Sequence, residues 1–208
     1  MSPELQLAAL LCSRVCHDLI GPVSAIDNGL EVLNEEDDPA MRDEALNLLR
    51  TSAAQASAKL QFARLAFGSA STAPSESDPE DARQCIAGVL DKTKHELLWH
   101  VPAKGLDKER VKILMNAVLI AKDSIPRGGE ISVRLEEQGG RMSLDIAARG
   151  EGARISEAIH AALDGLVALA DLDPRSVQPY FTGLLVRERG GKVIFERDGD
   201  TVTLGITA

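Results

Sequence analysis

The sequence predicts an α+β protein in two parts: a long antiparallel helical hairpin, then a layered domain with helices on one face of a mainly antiparallel sheet. Three observations carry this expectation. Apolar residues recur every three or four positions from Leu11 to Phe67, interrupted once by an acidic break. A small, polar stretch over residues 69–79 then reads as a linker. Beyond it, helical periods alternate with short β-rich runs joined by glycine-bearing turns. The expected boundaries are 1–70 for the hairpin, 71–79 for the linker and 80–208 for the second domain.

The hairpin opens on Ser2-Pro3-Glu4, which supplies an N-cap, a proline at the first helical position and an acid in the first turn. Leu11, Val15, Leu19, Val23, Ile26, Leu30 and Leu33 form one stripe, ending at Glu35-Glu36-Asp37-Asp38. Asp38-Pro39 repeats the cap and proline, and the second helix carries Leu49, Ala53, Ala56, Leu60, Ala63 and Phe67 before a stop at Gly68. A short turn makes the two helices antiparallel neighbours. Two helices alone cannot enclose a core. Self-association into a four-helix bundle, and so a homodimer, is the simplest remedy, with packing of both stripes on the second domain as the alternative.

In the second domain the pattern predicts a helix over 80–91, a strand over 97–101 and a helix over 107–124. Strands follow at 131–135 and 142–147, with Gly139-Gly140 as the turn between them. Helices over 155–170 and 175–188 lead to a last hairpin, 192–196 and 201–206, turning at Asp198-Gly199. No internal repeat is present.

Composition narrows the function. Among 208 residues, 23 Lys and Arg against 32 Asp and Glu leave a formal net charge of −9, and aromatics make up 3%. Such a chain lacks the phosphate-neutralising charge and the stacking platforms that nucleic-acid binding uses, which argues against direct nucleic-acid contact. Three cysteines, Cys12, Cys16 and Cys85, supply no disulfide framework and suit a reducing compartment. No basic leader precedes the first apolar run, and no run approaches the roughly 18 apolar residues of a membrane span. A cytoplasmic protein without a membrane segment is expected.

One residue points the wrong way for the core. The stripe of the first helix centres at roughly 50° from Leu11, whereas His17 falls at about 240°, facing solvent. Ser13, Arg14, Gly21, Ser24 and Asn28 share that face. Gly21 costs about 1 kcal/mol against alanine within a helix, and Pro22 about 3 kcal/mol because it removes a donor and crowds the carbonyl of Asp18. Local rules broken beside an exposed histidine mark a place to look for function.

The string Cys16-His17-Asp18-Leu19-Ile20-Gly21-Pro22-Val23-Ser24-Ala25-Ile26 resembles the H-box of bacterial histidine kinases, whose histidine is phosphorylated on a dimeric helical hairpin ahead of an ATP-binding α/β sandwich domain. Ile113-Leu114-Met115-Asn116-Ala117 is similar to the end of that family's N-box. Other positions depart from the pattern. Lys112 stands where the N-box has its first Asn, and Leu119 replaces the usual Lys. Ala148-Arg149-Gly150-Glu151-Gly152 occupies the place of the Asp-x-Gly-x-Gly box, with alanine where an aspartate reads adenine. Thr182-Gly183-Leu184-Leu185 stands in for the second glycine-rich box without a glycine-rich lid. Each change removes a metal environment, an adenine reader or backbone that approaches phosphates closely.

An accepting histidine with a degenerate nucleotide domain resembles the ChpT-type histidine phosphotransferases of alphaproteobacterial cell-cycle phosphorelays. The segments 11–20 and 57–67 are both similar to that family. The resemblance implies a dimer without a cofactor of its own, taking phosphate from the receiver domain of a hybrid kinase such as CckA and passing it to response regulators such as CtrA and CpdR. Mg²⁺ is expected on the partner receiver domain.

The residues present suit that chemistry. A neutral imidazole is a nucleophile near neutral pH, and phosphoryl transfer needs positioning and charge neutralisation above all. His17 is the candidate nucleophile. Asp18 either orients or deprotonates it or is a solvated helix charge. Gly21 and Ser24 would leave space for a partner's loops, and Arg14 could steer an acidic face or a phosphate. A turn near Glu36-Asp37 brings residues 55–64 to the height of His17, making Lys59, Phe62 and Arg64 further docking candidates, with a contact to the second domain as the alternative for Phe62. Cys12 and Cys16 lie four residues apart without a matching second pair, so they read as buried small hydrophobes, and His95, His100 and His160 as structural.

Overall fold

The computed structural model describes residues 1–68, 76–102 and 105–208. Helices α1 (Pro3–Glu35) and α2 (Pro39–Phe67) form the hairpin. Ser2 caps α1 by accepting from the Leu5 amide, and Asp38 caps α2 by accepting from Ala40. The acidic break closes the turn: Glu36 accepts from the amides of Asp37 and Asp38, both at 3.0 Å. Arg42 reaches back to the Leu33 and Glu36 carbonyls at 2.6 and 2.9 Å, satisfying acceptors that the end of α1 leaves open. Small residues let the helices approach. A Cβ on Gly29 would lie 3.0 Å from Leu49, and Pro22, Ala45 and Ser52 are buried along the hairpin.

Positions 71–75 of the expected linker lie outside the described residues. Its end is structured: β1 (Glu76–Ser77) precedes Asp78, which caps α3 (Pro79–Leu90). The second domain continues through β2 (His95–His100), β3 (Leu106–Asp107), α4 (Lys108–Ser124), β4 (Gly129–Gln138), β5 (Arg141–Arg149), α5 (Glu157–Asp164), α6 (Val177–Glu188), β6 (Lys192–Asp198) and β7 (Thr201–Thr207). The single helix expected over 155–170 ends at Gly165, whose left-handed φ of 73° closes α5, and a short 3₁₀ turn follows at Leu169–Asp171. Strands β1 and β3 pair antiparallel, and neither is long enough to show a period.

The main sheet has the order β2-β4-β5-β7-β6, with β2 and β4 parallel and every other pair antiparallel. Register aligns its apolar face in rows. Trp99, Val133, Ile146, Leu204 and Phe195 form one row; Ile131, Ala148 and Val202 form a second; Leu135, Leu144 and Ile206 form a third. Helix α4 covers the central strands with fully buried Ile113, Leu114, Met115 and Val118. Helices on one face of a mainly antiparallel sheet are thus the observed architecture.

The hairpin divides its apolar surface between two destinations. Phe62 and Ala66, near the end of α2, enter the core of the second domain, and α1 touches α6. Asn116 of α4 ties the two parts together, its amide donating to the Ala66 carbonyl at 3.2 Å and to the Lys112 carbonyl at 2.8 Å. Elsewhere Ile20, Val23, Leu30, Leu46 and Leu60 remain exposed. α1 is long and apolar enough to cross a membrane by length and composition, contrary to the expectation from its apolar runs. It is nevertheless amphipathic, packing on α2 and pairing a charged side chain with the second domain.

Candidate functional site

His17 lies midway along α1 with its side chain 56% exposed, as the helical angle predicts. Its ring Nδ1 is 3.2 Å from Asp18 Oδ1. A carboxylate oxygen accepts, so in a neutral ring this contact favours the tautomer with the proton on Nδ1 and the lone pair on Nε2. The other Asp18 oxygen, Oδ2, accepts from Arg14 Nε at 2.8 Å. Asp18 therefore points back to the ring, although adjacent helical residues diverge by about 100°.

Arg14 departs from expectation. Its angle placed it on the solvent face, yet it is buried, and its Nη1 donates to the Pro174 carbonyl at 3.0 Å. It is spent on internal partners rather than left open toward an acidic face. Lys59 is at the expected height of α2, and its Nζ donates to the main-chain carbonyl of Asp18 at 2.8 Å. Arg14, Asp18, Lys59 and Phe62 line a cleft of about 120 Å³, closed on its other side by Leu119 and Lys122 of α4.

The remaining candidates separate. Gly21 and Ser24 are exposed, and a Cβ on Gly21 would meet nothing within 4 Å, so the face beyond His17 is open. Arg64 is exposed. Phe62 is 4% exposed, which corrects its placement on a docking face: the ring is core, and only the cleft wall shows it. Cys12 and Cys16 are exposed rather than buried. Cys85 is buried, and burial pushes its thiol up.

The family model of the histidine phosphotransferase C-terminal domain matches residues 79–201. A curated relative, protein phosphotransferase ChpT of Brucella abortus (strain 2308), is 41% identical over 189 residues, covering 91% of this chain and 89% of that one. The chain belongs to the histidine phosphotransferase family. A solved structure of a bacterial phosphotransferase superposes with a TM-score of 0.88 at 37% identity, covering 99% of this chain and 97% of the other.

The second domain of this histidine phosphotransferase turns nucleotide-box positions to packing. Ala148 is fully buried in the sheet row between Ile131 and Val202. Gly152 is a turn residue, φ 73°, whose amide donates to Asp200 Oδ1 at 3.1 Å. A Cβ on Gly150 would overlap the Gly128 carbonyl, and one on Gly183 the Leu163 carbonyl, so both glycines serve close backbone approach. Thr182 is buried, its hydroxyl donating to the Gln178 carbonyl at 2.8 Å. His95 has partners at Thr93 and the Ile125 carbonyl, and His160 stacks edge-on to Phe195. Among the described residues, no three His, Cys, Asp or Glu side chains gather as metal ligands.

The structure adds two connections that sequence reasoning missed. The Pro174 carbonyl comes from a loop distant in sequence and left no signal. The Lys59 contact had one: Pro22 leaves the Asp18 carbonyl without its helical donor, which calls for a donor from elsewhere.

Proposed function

We propose that this histidine phosphotransferase is a relay protein. His17 accepts a phosphoryl group from the aspartyl phosphate of a receiver domain and passes it to the aspartate of response-regulator receivers, without ATP. The observation that carries the reading is the exposed imidazole whose Nδ1 is held by Asp18. The Nε2 lone pair forms the N–P bond as the P–O bond breaks and its electron pair leaves with the donor carboxylate. The ring becomes cationic while Nδ1 keeps its proton, and the Asp18 carboxylate stabilises that charge. Transfer onward is the reverse step on a second aspartate. The receiver supplies Mg²⁺ and its own acidic residues, so this chain needs no metal.

The packing of Ala148, Gly150 and Gly183 supports the absence of ATP chemistry, since an adenine reader and phosphate-facing loops are replaced by core contacts. Exposed Ile20, Val23, Leu30, Leu46 and Leu60 on both helices support a homodimer joined as a four-helix bundle. Gly21 and Ser24, on the face of α1 that carries His17, and exposed Arg64 of α2 are docking positions for the receivers. The similarity to a protein phosphotransferase supports receiver-domain partners in general; partners of the CckA, CtrA and CpdR type and a cytoplasmic setting belong to the same reading.

The test is incubation with a phosphorylated receiver domain. Label on the wild type and none on His17→Ala is the expected result. Label from ATP alone replaces the relay with a kinase, and no label from either donor replaces it with a non-catalytic interaction module.

A further inference from the structure

We propose that Arg14 is a positioning residue for the transfer: anchored to the second domain through the Pro174 carbonyl, it holds Asp18 in the orientation that keeps the proton on His17 Nδ1 and leaves Nε2 to attack. The inference rests on the reading of His17 as the acceptor.

Three contacts form a continuous line. Pro174 O accepts from Arg14 Nη1 at 3.0 Å, Arg14 Nε donates to Asp18 Oδ2 at 2.8 Å, and Asp18 Oδ1 lies 3.2 Å from His17 Nδ1. Exposure rises along it, from 11% for the Arg14 side chain to 31% for Asp18 and 56% for His17. The line therefore starts in the protein and ends at solvent, where a partner arrives. The anchor is itself braced. Asp173 Oδ1 accepts from the Arg175 and Ser176 amides at 2.9 and 2.7 Å and from the Ser176 hydroxyl at 2.7 Å, and the Asp173 amide donates to Ser176 Oγ at 2.9 Å. The loop that presents the Pro174 carbonyl is fixed by its own hydrogen bonds.

Helix stability does not account for the pair. A cation four residues before an acid is the less favourable order along a helix, and burying a guanidinium carries a desolvation cost that a surface pair avoids. What the arrangement does supply is direction. Asp18 has two oxygens; Arg14 takes one, and the other is turned toward the imidazole. Without Arg14 the carboxylate is free to turn to water and the ring is free to exchange tautomers, so either nitrogen can meet the phosphorus. The step remains the one already written: N–P bond made, P–O bond broken with its pair leaving on the donor carboxylate, and the Nδ1 proton retained.

The test uses the full chain and a receiver domain phosphorylated by its kinase, then freed of kinase and ATP. Single-turnover transfer to His17 is timed in wild type, Arg14→Met, Arg14→Lys, Asp18→Ala and the double variant, and ³¹P NMR identifies the phosphorylated nitrogen. Arg14→Met is expected to slow transfer by about 10- to 100-fold and to admit Nδ1-phosphohistidine, with Arg14→Lys restoring part of the rate. In the Asp18→Ala background Arg14→Met should add less than about threefold, because the two act as one unit. Full additivity of the two losses, or an Arg14→Met variant with wild-type rate and regiochemistry, overturns the inference. Should Arg14→Met not fold by circular dichroism, Arg14→Gln, which keeps one donor, takes its place under the same criteria. Failure of the wild type to take label overturns the acceptor reading, and this inference with it; label with additive losses overturns this inference alone.

Discussion

Lys59 completes the hydrogen bond that Pro22 cannot make. In a regular α-helix the carbonyl of residue 18 accepts from the amide of residue 22, and proline has no such proton. The Lys59 ammonium, from the facing helix, lies 2.8 Å from the Asp18 carbonyl oxygen instead. α1 runs unbroken through Pro22, and a positive charge is fixed one residue from His17.

Removing that donor strands a partly buried carbonyl. Lys59→Met should lower unfolding stability by about 1–2 kcal/mol. In a Pro22→Ala background, where the helical amide is restored, the same substitution should cost much less. Urea titration of the four proteins measures the coupling, and equal costs in both backgrounds would refute the pairing.

Gly21 is open on its outer side, so alanine there meets no obstacle. Gly21→Ala should stabilise the protein by about 0.5–1 kcal/mol through helix propensity. Gly21→Phe should also fold yet slow transfer from a receiver, since the ring occupies the approach to the imidazole. Thermal melts paired with transfer rates separate the two effects.

Exposed apolar residues occur at matching heights of the hairpin: Ile20 with Leu60 near His17, and Leu30 with Leu46 nearer the turn. Burial of these side chains in a second copy predicts a dimer by analytical ultracentrifugation at micromolar concentration. Leu30→Glu combined with Leu46→Glu should give a folded monomer. A wild-type monomer would remove the four-helix bundle.

Asp173 is held below its ordinary value of 3.8, first by the Ser176 hydroxyl and then by the Ser176 amide. A depressed folded-state value means that this contact stabilises the protein above the ordinary carboxylate range and is lost as pH falls through the depressed value. Wild type should therefore melt higher than Ser176→Ala at pH 7, with the gap closing in strong acid. A gap that widens on acidification would reverse the sign.

Asn116 now joins α4 to the end of α2 from a fully buried position. Asn116→Ala should cost about 1–2 kcal/mol by leaving the Ala66 carbonyl without its donor, while transfer to His17 at a temperature well below the melt stays unchanged. A selective loss of transfer would assign the residue to the site.

The elements readable from the chain were those whose signals are local. Ser2-Pro3 and Asp38-Pro39 mark helix starts within a residue because caps and prolines act on their own turn. The alternation in β5 and β7 predicts the rows that meet α4. His17 was readable as exposed because a helical angle requires no partner. Arg14 was not: its angle pointed outward, but a long side chain folds back to whatever acceptor tertiary packing offers, here Pro174. Phe62 took the alternative left open for it, since the second domain covers a face of α2 that the hairpin alone would expose. The break at Gly165 was available in principle, as a left-handed glycine stop inside an apolar run.

The row Ile131–Ala148–Val202 has no place for a charge. An aspartate at position 148, with nothing else altered, would lodge a carboxylate among aliphatic side chains in a fully buried place. Even after relaxation such a burial costs several kcal/mol, against a typical net stability of about 5–15 kcal/mol. The neighbouring side chains close around a methyl group, so Ala148→Asp alone would give a poorly folded protein.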